Sequence, residues 1–157
     1  HVTRAHEIAA EVRARGLRCV CHSDHAGVAS ADVLLVDTLG DLPSLYQLAA
    51  VAFVGGSLVP LGGHNVLEPA AVGAPVLFGP HTENAREAAD LVLRSGAGRR
   101  GTGRAELVRT AIEVLRDPAS WRERAEAGRQ ALEQHRGTAE RSAKLVTGAR
   151  DHSRRER

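Results

Sequence analysis

The spacing of apolar and polar positions changes period several times along the chain. Over residues 3–15, Ala5, Ile8, Ala9 and Val12 recur at helical spacing, and Gly16 follows as a stop. "LRCVC" (17–21) alternates, which predicts a short strand. A turn-rich loop leads to "DVLLVDT" (32–38), whose unbroken apolar run predicts a buried strand over 32–36. Residues 42–50 return to a helical period, with Asp41 as a cap and Pro43 tolerated in the first turn. Strands are predicted at 51–54 and 75–78, with a short helix from near Asn65 to about 73 between them. A helix over 83–96, bounded by Thr82 and Gly96, precedes a weak strand near 97–99. Helices follow over 104–116, about 118–135 and about 138–148, the second opened by Asp117 and Pro118.

Strands alternate with helices throughout, which predicts an α/β fold with a doubly wound parallel sheet. No repeat or long linker divides the chain, so residues 1–148 are expected to form one domain and 149–157 a charged, disordered tail.

Composition supports this picture. The 157 residues are 43% hydrophobic and 25% charged, as in an ordinary globular domain. Aromatic residues are only 3%, so the core must be Val, Leu and Ala, which suits parallel strands covered by helices. The formal net charge is +2, too small and dispersed for a nucleic-acid footprint. No run of about 18 apolar residues predicts a membrane-spanning helix. Cys19, Cys21, His22, Asp24 and His25 lie close together, yet their spacing fits no closed tetrahedral metal site. On an alternating strand the two thiols share one face as small hydrophobes, and cysteines at i and i+2 are poorly placed for a disulfide.

One stretch stands apart. In "FVGGSLVPLGGHNVLEPAAVGAPVLFGP" (53–80), two glycine pairs and several polar residues separate two core strands. Ligands in open α/β sheets bind beyond the carboxyl ends of strands. Gly55, Gly56, Gly62 and Gly63 permit sharp turns and close approach of a ligand. A helix start near Asn65 would offer free N–H groups to a phosphate or carboxylate. Ser57, His64 and Asn65 could add side-chain hydrogen bonds, and Glu68 is suited to sugar hydroxyls. The structural alternative is a capping box formed by Asn65 and Glu68. "GTGRAE" (101–106) only echoes a dinucleotide fingerprint and is read as a loop and helix start.

The segment "DTLGDLPSLYQLAAVAFVGGSLVPLGGHNVLEPAAVGAPVLFGPHTEN" (37–84) resembles the 3-deoxy-D-manno-oct-2-ulosonic acid (Kdo) transferases, closely over about 50 residues and more loosely over the whole chain. These are GT-B glycosyltransferases that move Kdo from CMP-Kdo to a lipid A precursor. The resemblance implies a Rossmann-like, donor-binding C-terminal domain of a GT-B fold. It implies a donor loop of Gly55, Gly56, Ser57, Gly63, His64, Asn65 and Glu68. Asp37, Gly79, Pro80, His81 and Asn84 would line the adjoining cleft. His1 and Arg4 resemble the end of a family element that follows the domain's first strand. The sequence departs from the family pattern at Asp41, Ala50 and Ala85.

The family's N-terminal half, with its membrane-associating segment, acceptor site and acidic general base, is not in this sequence. The resemblance therefore implies partners in CMP-Kdo, a lipid A precursor, an N-terminal acceptor domain and a membrane surface, with no nucleic acid. It also implies a cytoplasmic location at the bacterial inner membrane. No metal is expected, because the leaving phosphate is a monoester held by dipoles and side chains, and the chain alone is expected to be inactive. Rival readings are a non-catalytic nucleotide-sugar binding module or partner subunit, and a GT-B enzyme for another nucleotide sugar. In a strand order of 3-2-1-4-5-6 the first strand is central. The chain opens on the helix after it, so the strands at 17–21 and 51–54 are expected not to pair with each other.

Overall fold

A computed structural model describes residues 4–24 and 28–134. His1, the helix expected at 138–148 and the tail at 149–157 lie outside the described residues. The chain divides into two compact units, His1–Leu45 and Tyr46–Arg157.

The first unit contains α1 (Ala5–Ala14), β1 (Cys19–Cys21), β2 (Val33–Leu35) and all of α2 (Leu42–Tyr46) but its last residue, Tyr46, with which the second unit begins. Strands β1 and β2 pair in parallel, Cys19 opposite Val33 and Cys21 opposite Leu35. Cys19 and Cys21 are buried free thiols on one face of β1, as the alternation implied. Burial pushes the Cys21 thiol up, aided by the nearby carboxylates of Asp37 and Asp24. Among the described residues no group of His, Cys, Asp and Glu is arranged to hold a metal ion.

The second unit is built on β3 (Ala52–Val54), β4 (Val76–Phe78) and β5 (Gly98–Arg100), all parallel, with β4 in the middle. Around them run α3 (Leu67–Ala71), α4 (Arg86–Arg94), α5 (Arg104–Arg116) and α6 (118–134). Each of the three residues of β4 is buried, which explains its uninterrupted apolar run. The core gathers Val54, Val66, Val76, Phe78, Val92 and Leu132, aliphatic apart from one phenylalanine. The strands expected at 17–21 and 51–54 lie in different sheets, so they do not pair.

Two helices are shorter than their periodicity predicts. Residues 42–50 form only Leu42–Tyr46. Leu48 is 80% exposed, so the apolar spacing that extended the helix serves no core face. The helix expected at about 65–73 is Leu67–Ala71. It ends in a Schellman motif, with the Gly73 N–H bonded to Ala70 O and the Ala74 N–H bonded to Pro69 O. By contrast, Asp117 caps α6 as expected, its carboxylate accepting from the Ser120 N–H.

Candidate functional site

The glycine-rich stretch lies beyond the carboxyl ends of β3 and β4. Ser57 is completely buried and joins the two ends. Its hydroxyl donates to Val54 O at 2.6 Å and accepts from the Gly79 N–H at 2.8 Å. Its carbonyl accepts from the His81 N–H at 3.0 Å. The hydroxyl proton is thus committed to the protein, so Ser57 shapes the loop through this crossing. The crossing explains Gly79: a Cβ there would sit 2.2 Å from Ser57 O.

The loop then folds back on itself. The Gly63 N–H donates to Gly56 O at 3.1 Å and the His64 N–H to Gly55 O at 3.2 Å. Gly63 has φ +72°, and a Cβ on it would meet His81 O at 2.9 Å. The exposed His64 ring covers the Gly56 turn. Asn84 ties the segment after β4 to the loop, with its N–H on Gly62 O at 3.0 Å and its side-chain amide on Leu61 O at 3.2 Å. Residues 55–64 and 79–84 are therefore bonded into one connected surface.

Asn65 and Glu68 also meet, though not as the reciprocal capping box weighed above. The Leu67 N–H bonds to Asn65 Oδ1 at 3.0 Å, and the Asn65 amide donates to Glu68 Oε1 at 3.1 Å. Both side chains are exposed and line a cavity of about 360 Å³, so this contact leaves them accessible to a ligand. Because α3 has only five residues, it sums few peptide dipoles. Individual N–H groups and side chains must therefore supply most of the polarity.

The flanking residues extend the surface. Pro80 is exposed, and His81 Nδ1 lies 3.3 Å from Glu83 Oε1. The Glu83 carboxyl is held below the usual range by its own backbone N–H, then by His81 and Arg86. A cavity of about 660 Å³ is lined by Leu67, Glu83, Asn84 and Arg86, among others. Tyr46 belongs to this unit as well, its hydroxyl kept protonated by burial and by Glu68. Neither Arg86 nor Tyr46 carries a motif signal in the sequence; the one clue to Arg86 is a lone cation two positions after Asn84.

Two anticipated residues lie in the first unit. Both Asp37 carboxylate oxygens are taken by Ser23, from its N–H at 3.0 Å and its hydroxyl at 2.7 Å. These bonds hold the Asp37 carboxyl below its ordinary value. Arg4 precedes α1 and pairs with the exposed Glu7 at 3.4 Å.

No family model matches the chain. A 3-deoxy-D-manno-octulosonic acid transferase of Bordetella pertussis is 39% identical over 144 residues, which is 90% of this chain and 34% of that protein. The enzyme of the same name from Aquifex aeolicus is 42% identical over 84 residues, 54% of this chain and 24% of that one. The chain thus spans about a third or less of these relatives. Among solved structures, the C-terminal CMP-Kdo binding domain of WaaA from Acinetobacter baumannii superposes with a TM-score of 0.76 at 29% identity, covering 84% of this chain and 69% of that one. In sequence and in its Rossmann-like α/β fold, this chain belongs with the C-terminal half of the 3-deoxy-D-manno-octulosonic acid transferases.

Proposed function

We propose that the chain is the donor-binding part of a Kdo transferase, holding CMP-Kdo while the sugar passes to a lipid A precursor. The observation that carries this reading is the joined surface of residues 55–68 and 79–84, fastened by Ser57 and Asn84. In the reaction, an acceptor hydroxyl oxygen attacks C2 of Kdo. The bond from C2 to the phosphate oxygen breaks, and CMP departs with the electron pair. Groups of this surface that are not spent in holding the loop hold the charge that grows on the departing phosphate, with little reorganisation at that moment. Asn65 and Glu68 line one cavity, and with the exposed His64 they are suited to hydroxyls of ribose or sugar. The acceptor, its membrane and the base that takes the hydroxyl proton belong to an N-terminal half of the enzyme. Residues 1–148 serve as the donor domain. Loss of a general base alone costs about 10²–10⁴-fold, so this chain by itself is expected to bind without transferring.

The test is a nucleotide panel. CMP should bind more tightly than UMP, GMP or ADP, and Gly63→Val should remove CMP binding at a temperature where the variant is still folded. Equal binding of all four, or CMP affinity unchanged in Gly63→Val, contradicts the proposal.

A further inference from the structure

We infer that Arg86 binds the carboxylate of the sugar acid and so distinguishes an ulosonic-acid donor from a neutral nucleotide sugar; this rests on the donor-site reading above. A 2-ulosonic acid linked through C2 to a nucleotide carries two anionic groups on one carbon, the phosphate and the C1 carboxylate. Its site needs two anion-binding positions side by side. The donor-site reading puts one at the surface of the glycine loop, and the structure offers a candidate for the second.

Arg86 lines both the 660 Å³ cavity beside Asn84 and a polar cavity of about 280 Å³ formed with Pro80, Thr82, Glu83, Asp90 and Arg100. The second cavity lies where β4 and β5 end, the side of the sheet from which the glycine loop also departs. The charged groups there are already committed, with one exception. Arg100 pairs with Asp90 at 3.4 Å and lies over the Phe78 ring. Glu83 pairs with His81 at 3.3 Å. Arg86 is exposed, and among the described residues its guanidinium makes no hydrogen bond or ion pair, although Glu83 attracts it from further away. The formal charges of Arg86, Arg100, Glu83 and Asp90 sum to zero, so bulk attraction is weak. Recognition must then come from the guanidinium fork, which matches the two oxygens of a carboxylate. Position is secured as well. Asn84, two residues earlier, is bonded to Leu61 and Gly62, so the backbone that carries Arg86 is fixed to the loop that takes the phosphate.

The experiment measures binding of CMP, CMP-Kdo and the C1 amide of CMP-Kdo to the full chain and to Arg86→Gln and Arg86→Lys. A charged hydrogen bond of this kind corresponds to roughly a ten- to hundredfold change in affinity. Wild type should prefer CMP-Kdo to its amide by about that factor. Arg86→Gln should bind CMP and the amide as wild type does, yet lose the preference for CMP-Kdo. Arg86→Lys should restore part of it. Equal loss of CMP and CMP-Kdo in Arg86→Gln would assign the residue to the phosphate and overturn the inference. A preserved preference in Arg86→Gln would overturn it too. Failure of wild type to bind CMP at all would instead remove the donor-site reading, and this inference with it. Arg86 is exposed, so thermal melting of both variants should match wild type.

Discussion

The turns that follow β3 and β4 are held through main-chain groups, with Ser57 and Asn84 as side-chain ties to them, whereas those around β1 and β2 rest on carboxylates. In the second unit, the Gly63 turn bonds main chain to main chain, while the Ser57 hydroxyl and the Asn84 amide each bond to main-chain groups across the two loops. They leave His64 exposed and Arg86 exposed beside a cavity. In the first unit, Asp32 takes the Arg18 N–H at 2.8 Å and both arms of its guanidinium, while Asp37 takes Ser23. The Thr38 hydroxyl donates to Asp41. Side chains consumed in holding a loop are not free for a ligand. A loop closed by backbone keeps its side chains available, at the cost of tolerating almost no added atom.

The sharpest way to break the contrast is Gly79→Val. Its Cβ would lie 2.2 Å from Ser57 O, a backbone atom that cannot rotate away. The expected destabilisation is about 3 kcal/mol or more in denaturant unfolding, at the upper end of overpacking effects. Ser57→Ala is the milder form of the same test. It leaves the buried Gly79 N–H without its acceptor, which costs about 1–3 kcal/mol. Melting unchanged in both variants would show that the crossing is not what holds the two loops.

Glu68→Gln sharpens the comparison from the ligand side. The Asn65 amide can still meet a glutamine oxygen, so the stability change should stay below about 1 kcal/mol, the scale of a helix cap. CMP affinity should fall by more than stability does. The reverse ordering would make Glu68 a capping residue only.

The smallest effect is confined to acid. Asp32 titrates at about 2 when folded, lowered first by the Arg18 guanidinium and then by the Arg18 N–H. A depressed carboxyl stabilises the fold above its unfolded pKa and loses that contribution as pH falls through the folded value. The first unit should therefore loosen between about pH 4 and pH 2, and Asp37, shifted the same way, adds to the trend. Amide exchange over 18–35 should accelerate in that window, and Asp32→Asn should flatten the dependence. Equal acceleration over 52–78 would show that the carboxylates are not the distinguishing feature.

Local pattern made much of the framework legible. Uninterrupted apolar runs marked β2, β3 and β4, and Asp117 with Pro118 marked the start of α6 because a cap is written in adjacent residues. The Asn65…Glu68 spacing disclosed that the two residues meet, but they do so side chain to side chain, with Asn65 also accepting from the Leu67 N–H, and not as a reciprocal capping box. Contacts between distant positions were not legible. Ser57 and Gly79 are 22 residues apart, and Asn84 and Leu61 are 23 apart. Nothing local to either partner tells a buried hydroxyl that joins two loops from one that points at a ligand. The cleft-lining role expected of Asp37 came from the family resemblance, and that it meets Ser23 depends on how the turn after β1 folds. Arg86 stayed hidden because its significance lies in being uncommitted, a property defined only once its neighbours are paired.

The central claim is that the connected surface after β3 and β4 receives the donor. Hydrogen–deuterium exchange with and without CMP-Kdo tests it most directly. Slowing should be confined to 55–68 and 79–86, with no change over 18–38 beyond that produced by an unrelated nucleotide. Measurable CMP-Kdo binding without slowing in those two segments would contradict the account.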